Sequence, residues 1–276
     1  MDGAVEHSNG GRMPLLWCEY FEPAGFNVDD RRVLLYMVLF EHYSHPQQDS
    51  LWRSLQLARD GSTVLQLDAA RLDPGIVAAM EEDPAAALAC LNIAVNEAWP
   101  LVHARLREVM GTSIMAPRIT PRLVNWASRK IGIRQLKSST IGHLVAIHGT
   151  VVRMSPVRPM VQQMHFICGK CANRITQVFE DGKYMPPSQC VTGGCRSRTF
   201  EPCRSDAKCV DWQKLRVQEI MGTDKQQEGQ VPRSVEVELT SDLVGSAVVG
   251  DVVTVMGWVK VLATGDDLGQ FGSVGG

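Results

Sequence analysis

Cys168-Gly-Lys-Cys171, followed by Cys190 and Cys195, sets two cysteine pairs at C-x2-C and C-x4-C spacing with eighteen residues between them. Two short loops that each offer two thiolates can close a tetrahedron around a metal ion. Four sulfurs leave no coordination position for water, so the chemistry is structural rather than catalytic, and zinc is the natural ion. The residues between the pairs could bring the loops together. Ile175, Val178 and Phe179 read as a strand, Asp181-Gly182-Lys183 as a turn, and the residues after it as the return. Two unrelated redox or core pairs are the alternative, but a redox C-x-x-C usually opens a helix in a βαβ setting, and none surrounds Cys168. His165 upstream and Cys203 and Cys209 downstream lie near enough in sequence to replace a thiolate, although the four-cysteine frame is complete without them.

Other reaction chemistry is missing from the pattern. The seven histidines are scattered, and no H-E-x-x-H, G-x-S-x-G or H-x-E with P-C-x-x-C occurs. No G-x-x-x-x-G-K-[ST] loop is present either, so the sequence offers no amide cradle and lysine for nucleotide phosphates.

The net charge of −2 conceals a segregation along the chain. Residues 1–108 carry sixteen acids against eight bases, whereas residues 109–179 carry no acid and ten bases: Arg118, Arg122, Arg129, Lys130, Arg134, Lys137, Arg153, Arg158, Lys170 and Arg174. Such a block suits a polyanion-facing surface, with nucleic acid the first candidate. Pairing of these bases with the acidic first segment is the alternative.

These side chains need a scaffold, and 276 residues at 45% hydrophobic content can fill two cores. The amino terminus shows no apolar signal-peptide core, and the longest apolar run, Val33 to Phe40, is too short to cross a bilayer. Eight cysteines in a chain of this length fit a reducing compartment, with Cys18, Cys90, Cys203 and Cys209 as free thiols. The first hundred residues read as helical with one short strand over Ser62–Asp68. Asp29-Asp30 offers a cap, and Asp73-Pro74 and Asp83-Pro84 place a cap and an N1 proline before helical runs. Leu88, Leu91, Val95, Ala98, Val102, Leu106 and Val109 form one apolar helix face, with Pro100 inside it expected to kink or split the helix. Beyond Gly111 the pattern is β. Leu144–Val152, Val210–Ile220, Val235–Leu239 and Val252–Val261 suggest four or five strands of a small barrel interrupted by the cysteine ribbon. Lys214 and Arg216 alternate with Leu215 and Val217, so both project from one strand face, about 6.8 Å apart.

Over roughly residues 60–262 an ordered set of pieces resembles the amino-terminal region of the minichromosome maintenance (MCM) helicases. The pieces are Gly149-Thr-Val-Val-Arg153, Pro159, the four cysteines and Gln213-Lys-Leu-Arg-Val-Gln-Glu219. Gly229-Gln-Val-Pro-Arg233, Val237-Glu-Leu239, Asp242-Leu-Val244 and Gly250-Asp-Val-Val253 complete the set. Asp181-Gly-Lys-Tyr184 ahead of the C-x4-C pair is most similar to the eighth member of that family.

The resemblance implies an α+β chain with an N-terminal helical bundle and an OB-fold β-barrel carrying an inserted zinc ribbon. Its expected parts are a helical subdomain over 1–112 with a disordered extreme amino terminus, a linker and first OB part over 113–166, and the ribbon over 167–200. The rest of the OB-fold spans 201–264, and a flexible tail covers 265–276. It implies structural zinc on Cys168, Cys171, Cys190 and Cys195, and single-stranded DNA on Arg153, Arg158, Lys214, Arg216 and Arg233. It further implies a hexameric ring of MCM subunits, with the ninth member as a partner, in the nucleus, acting in DNA replication or in repair by homologous recombination. ATP and Mg would be bound only in a full-length protein with the AAA+ domain, so this chain is expected to be no enzyme alone and to be a fragment or short form of the helicase. The family's basic channel hairpin has no counterpart in the charge pattern, because Lys260 is the last base and Asp266 and Asp267 follow it. An autonomous single-strand-binding OB module and a zinc-ribbon protein-interaction module remain the alternative functions.

Overall fold

Aspartate side chains start the main helices of the amino-terminal region. The computed structural model describes residues 13–22, 26–27, 29–57, 63–110, 118–179, 182–220, 231–261 and 273–275. Its helices are α1 (Trp17–Tyr20), α2 (Arg31–Ser44), α3 (Asp49–Trp52), α4 (Pro74–Glu82) and α5 (Pro84–Met110). Its strands are β1 (Gln56–Leu57), β2 (Thr63–Asp68), β3 (Ile119–Val124), β4 (Lys130–Ile131), β5 (Leu144–Met154) and β6 (Arg158–Cys168). They continue as β7 (Arg174–Val178), β8 (Phe200–Gln218), β9 (Ser234–Thr240), β10 (Val252–Lys260) and β11 (Ser273–Gly275).

Asp30 accepts from the Arg32 amide at 2.8 Å, Asp73 from Gly75 at 2.8 Å and Asp83 from Ala86 at 3.1 Å, each satisfying an amide that the first helical turn leaves unpaired. Leu91, Val95, Ala98, Val102 and Leu106 of α5 are buried against Val33, Leu39 and Tyr43 of α2. Helix α5 runs on through Pro100 rather than splitting there. The proline removes one amide, and the buried Ala98 and Val102 on either side of it hold the helix in place. By length and composition alone, an 18-residue window within Pro84–Glu108, of mean hydropathy 1.4, is apolar enough to cross a bilayer. Its buried share, 56%, is the core stripe of α5.

The strand expected over Ser62–Asp68 among these helices forms as β2, over Thr63–Asp68. Strand β2 pairs in parallel with β3, which lies beyond the expected boundary at 112, and antiparallel with β1. Alternation in Ile119–Val124 is weak, which is why only pairing reveals it as a strand.

Among the described residues the second sheet has eight strands in the order β4-β5-β10-β11-β9-β8-β6-β7, where four or five strands of a small barrel were expected. It also folds back on itself, since β5 pairs with β10 along one stretch and with β8 over Thr150–Met154. Strand β8, nineteen residues long, serves three neighbours: Phe200–Trp212 pair with β6, Trp212–Gln218 with β9, and Leu215–Gln218 with β5 as well. Its first half carries polar residues and Pro202, so the sequence pattern exposed only the second half. Val145, Ile147, Val151, Leu215, Val217, Val235 and Val237 fill the core of this sheet. Where β5 crosses β8, a Cβ on Gly149 would lie 2.5 Å from the Gln218 carbonyl oxygen, so the crossing needs glycine.

The extreme amino terminus, Asp181, Gly229-Gln230 and Asp266-Asp267 lie outside the described residues. Of the carboxy-terminal tail, Ser273–Gly275 form β11, parallel to β9 and antiparallel to β10.

Candidate metal centre and nucleic-acid interface

Strands β6 and β7 form a hairpin whose turn is the first cysteine pair. Ala172 adopts φ 56°, and its amide bonds to the Cys168 carbonyl at 2.9 Å, which curls the chain so that Cys168 and Cys171 face one point. The second pair sits on a loop tied to the first by Gly169 N–H to Thr199 O at 3.0 Å, and the Cys190 amide bonds to Ser197 O at 3.0 Å. The return strand expected after Asp181-Gly182-Lys183 does not form, because residues 183–199 contain no strand. Pro186 and Pro187 in that stretch lack the amides a ladder needs, and β8 takes the place beside β6 instead. Phe166, Phe179 and Tyr184 pack in this ribbon with ring centroids 5.5–6.3 Å apart, giving it a small core of its own.

The four sulfurs lie within 4.8 Å of one another, with Cys168 to Cys195 at 3.8 Å and Cys171 to Cys190 at 3.6 Å. A tetrahedron of sulfurs each about 2.3 Å from zinc has edges of about 3.8 Å, so the donor set fits a four-thiolate ion. Backbone amides of Cys171 and Lys170 lower the Cys168 thiol to about 6. The Asn173 amide and the Thr192 hydroxyl lower that of Cys171. For Cys195 the Ser197 amide acts the same way, but burial and the neighbouring sulfurs outweigh it and push the thiol up to about 11. Several thiolates this close repel one another unless a cation sits among them, and a cation is what the arrangement suits. His165 is engaged elsewhere, its Nδ1 lying 3.0 Å from Thr176 Oγ1, and Cys203 and Cys209 are not part of the cluster.

Strand β8 also presents the second candidate site. Val217 and Leu215 point into the core, and Trp212, Lys214 and Arg216 to the other face. Register partners share a face, so Arg153 of β5 lies beside Arg216, and Arg158 of β6 lies beside Trp212. Four of the five residues singled out for DNA thus meet on one sheet face. Arg233, one residue before β9 and exposed, stands opposite Glu219 at the end of the ladder. Trp212 is only partly buried and lies on this face, with Lys214 Nζ 5.8 Å from its ring centroid.

The same face carries acids that the charge pattern did not place. Lys214 Nζ lies 2.9 Å from Glu236 Oε2 and 3.8 Å from Glu238 Oε1, and Arg216 lies 3.1 Å from Glu236 Oε1. Burial acts to raise the Glu236 carboxyl, but bonds and charge from Lys214 and Arg216 hold it below the usual range. The period-two run Ser234-Val-Glu-Val-Glu238 was the available signal, and only the pairing of β8 with β9 gave it meaning. Arg153, Arg158 and Arg233 make no ion pair with a described residue.

The basic block divides in the same way. Arg118 binds Glu19 at 2.9 Å, as interface pairing with the acidic segment would have it. Arg122, Arg134 and Arg174 bind Asp242, Glu219 and Asp206, all from later in the chain. Six of the ten bases, Arg129, Lys130, Lys137, Arg153, Arg158 and Lys170, make no ion pair among the described residues and remain for another anion.

Comparison with known proteins bears on this arrangement. The MCM OB domain matches residues 132–263, the stretch that contains both the cysteine cluster and the basic sheet face. The chain is 42% identical to "Probable DNA helicase MCM8" of Arabidopsis thaliana over 190 residues, which is 69% of this chain and 23% of that protein. It is 37% identical over 96% of its length to "Probable DNA helicase MCM8" of Oryza sativa subsp. indica, covering 33% of it. The chain belongs to the MCM family. Against "DNA helicase MCM8" of Homo sapiens it is 33% identical over 69% of its length and 24% of that protein. The chain therefore spans about a third or less of these MCM relatives, and carries an MCM OB domain, the cysteine cluster within its matched stretch, and a few helices ahead of it.

Proposed function

We propose that this chain is the DNA-binding and ring-assembly region of an MCM8-type helicase, holding single-stranded DNA on the outer face of β5, β6 and β8. The observation that carries the reading is the convergence of Arg153, Arg158, Trp212, Lys214 and Arg216 on one sheet face within the part that matches the MCM OB domain. Arginines along such a face hold phosphates, and an aromatic ring beside them stacks a base. Arg233 would extend the track at the end of β9. Zinc on Cys168, Cys171, Cys190 and Cys195 would fix the ribbon. The helical region, the OB-fold with its inserted ribbon, and neighbouring MCM subunits, the ninth member among them, would form a nuclear hexameric ring serving replication or recombination. ATP-driven strand separation would belong to the whole helicase rather than to this region.

The test is anisotropy with a labelled oligothymidine of roughly 16 nucleotides, the upper end of one OB-fold's site. The double variant Arg153→Ala/Arg158→Ala should lose most of the binding and flatten the log–log salt slope by about 1.4, at about 0.7 per single-strand phosphate contact. Unchanged affinity and slope would move the DNA off this face.

A further inference from the structure

The reading of the sheet face as a DNA surface leaves Glu236 unexplained, since a phosphate-binding strand pair gains nothing from a carboxylate at its centre. Glu236 is not a bystander. One of its oxygens lies 2.9 Å from Lys214 Nζ and the other 3.1 Å from Arg216, so a single side chain engages both cations of β8. Glu238 backs it at 3.8 Å from Lys214. Two bases and two acids make the β8–β9 half of the face neutral, while Arg153 and Arg158 beside it are exposed and without an ion pair to any described residue.

We infer that Glu236 is an internal competitor for the nucleic-acid phosphate, so that a strand anchored at Arg153 and Arg158 must displace it to reach Lys214 and Arg216. The inference rests on the DNA-face reading above. A phosphodiester carries one negative charge, as does the carboxylate, so binding at Lys214 and Arg216 exchanges one anion for another. A phosphate bound by a protein cation releases the counterion condensed on the nucleic acid, but the carboxylate it displaces takes one up in turn, so the net release that drives binding to phosphate is lost at this pair. The β8 pair therefore contributes little for an isolated phosphate. It contributes when neighbouring phosphates on one chain are already held and raise the local concentration of the next. Such a face favours a continuous polyanion over free nucleotides.

Salt dependence separates the possibilities. With Arg153, Arg158 and Arg233 each holding a phosphate, the parent should show a log–log slope near −2.1, from about 0.7 per contact, and Glu236→Gln, which opens the place of one more phosphate, should steepen it toward about −2.8. Affinity for the same oligothymidine should rise about tenfold at low salt, and Glu238→Gln should change it less, because its contact is the longer one. Glutamine keeps the volume of the side chain. Should that variant not fold, Glu236→Thr, which suits a strand, carries the same expectation. A parent that binds, that is weakened by Arg153→Ala/Arg158→Ala, and that is unchanged or weakened by Glu236→Gln would overturn the inference and leave the DNA face standing, with Glu236 aligning the cations instead. Absence of binding by parent and Glu236→Gln alike would overturn both.

Discussion

Arg122 and Asp242, 120 residues apart in sequence, meet side chain to side chain through two hydrogen bonds of 3.0 and 2.5 Å. The first belongs to β3 of the amino-terminal sheet and the second to the turn after β9, so the pair ties the helical region to the OB sheet. It stands at the edge of an approximately 450 Å³ cavity lined also by Leu88, Leu144, Leu215 and Trp258. The Asp242 side chain is 5% exposed. Replacing Arg122 by alanine leaves that carboxylate buried without its partner, and should cost roughly 3 kcal/mol, read by urea unfolding. Replacing both residues by a matched apolar pair should recover much of the loss.

Gly149 should tolerate no side chain. A Cβ there would meet the Gln218 carbonyl at 2.5 Å and Val217 Cγ1 at 2.6 Å, and a backbone oxygen in a paired strand cannot move aside. Gly149→Ala should destabilise the protein by about 1–3 kcal/mol, the usual cost of overpacking, with the melting temperature as the readout. Gly132→Ala, where nothing lies within 4 Å, is the matched control.

Gln213 is the buried polar residue of the OB sheet. Its amide donates to the Ser155 carbonyl at 3.1 Å and its oxygen accepts from the Gly245 amide at 2.9 Å, pinning two loops to β8. Gln213→Ala removes both hydrogen bonds and should cost about 1–3 kcal/mol. Hydrogen exchange should accelerate at Gly245 before it does in the core of β9.

The four-cysteine cluster should carry one equivalent of zinc. Cys171→Ser should lose it and open the ribbon to protease, whereas Cys18→Ser, at an exposed position away from the cluster, should retain it. Protons compete with the metal for thiolates, so zinc should be released as pH falls, as followed with a chromogenic chelator. Folded protein free of zinc at neutral pH would refute the assignment.

Cys90 should resist alkylation in the native state while Cys18 and Cys209 react. Burial raises the Cys90 thiol to about 12, although the Arg32 charge partly opposes it, and the side chain is 0% exposed. Mass spectrometry after brief iodoacetamide treatment should show the first unlabelled until denaturant is added.

What the sequence determined by itself was local. A cap works through its own next few residues, so Asp30, Asp73 and Asp83 were legible as helix starts. Alternation is a property of one strand, so the outward set Lys214 and Arg216 could be read without any partner. The cysteine spacing was legible because a metal knuckle needs two short loops, each local in sequence. Family membership was legible for a different reason, since it rests on the order of many short pieces rather than on any one.

Tertiary structure decided everything that depends on which segment lies beside which. Only strand pairing placed Glu236 across from Arg216, turning an apparently free basic face into a half-neutral one. Only the parallel pairing of β2 with β3 drew Ile119–Val124 into the amino-terminal region. Helix α5 survives Pro100 because buried neighbours outweigh one missing amide, a sum that local propensity does not contain. Side chains such as Arg122 and Asp242 carry no mark of each other across the intervening chain. Their attraction acts over a few ångströms, and that distance exists only once the chain has folded.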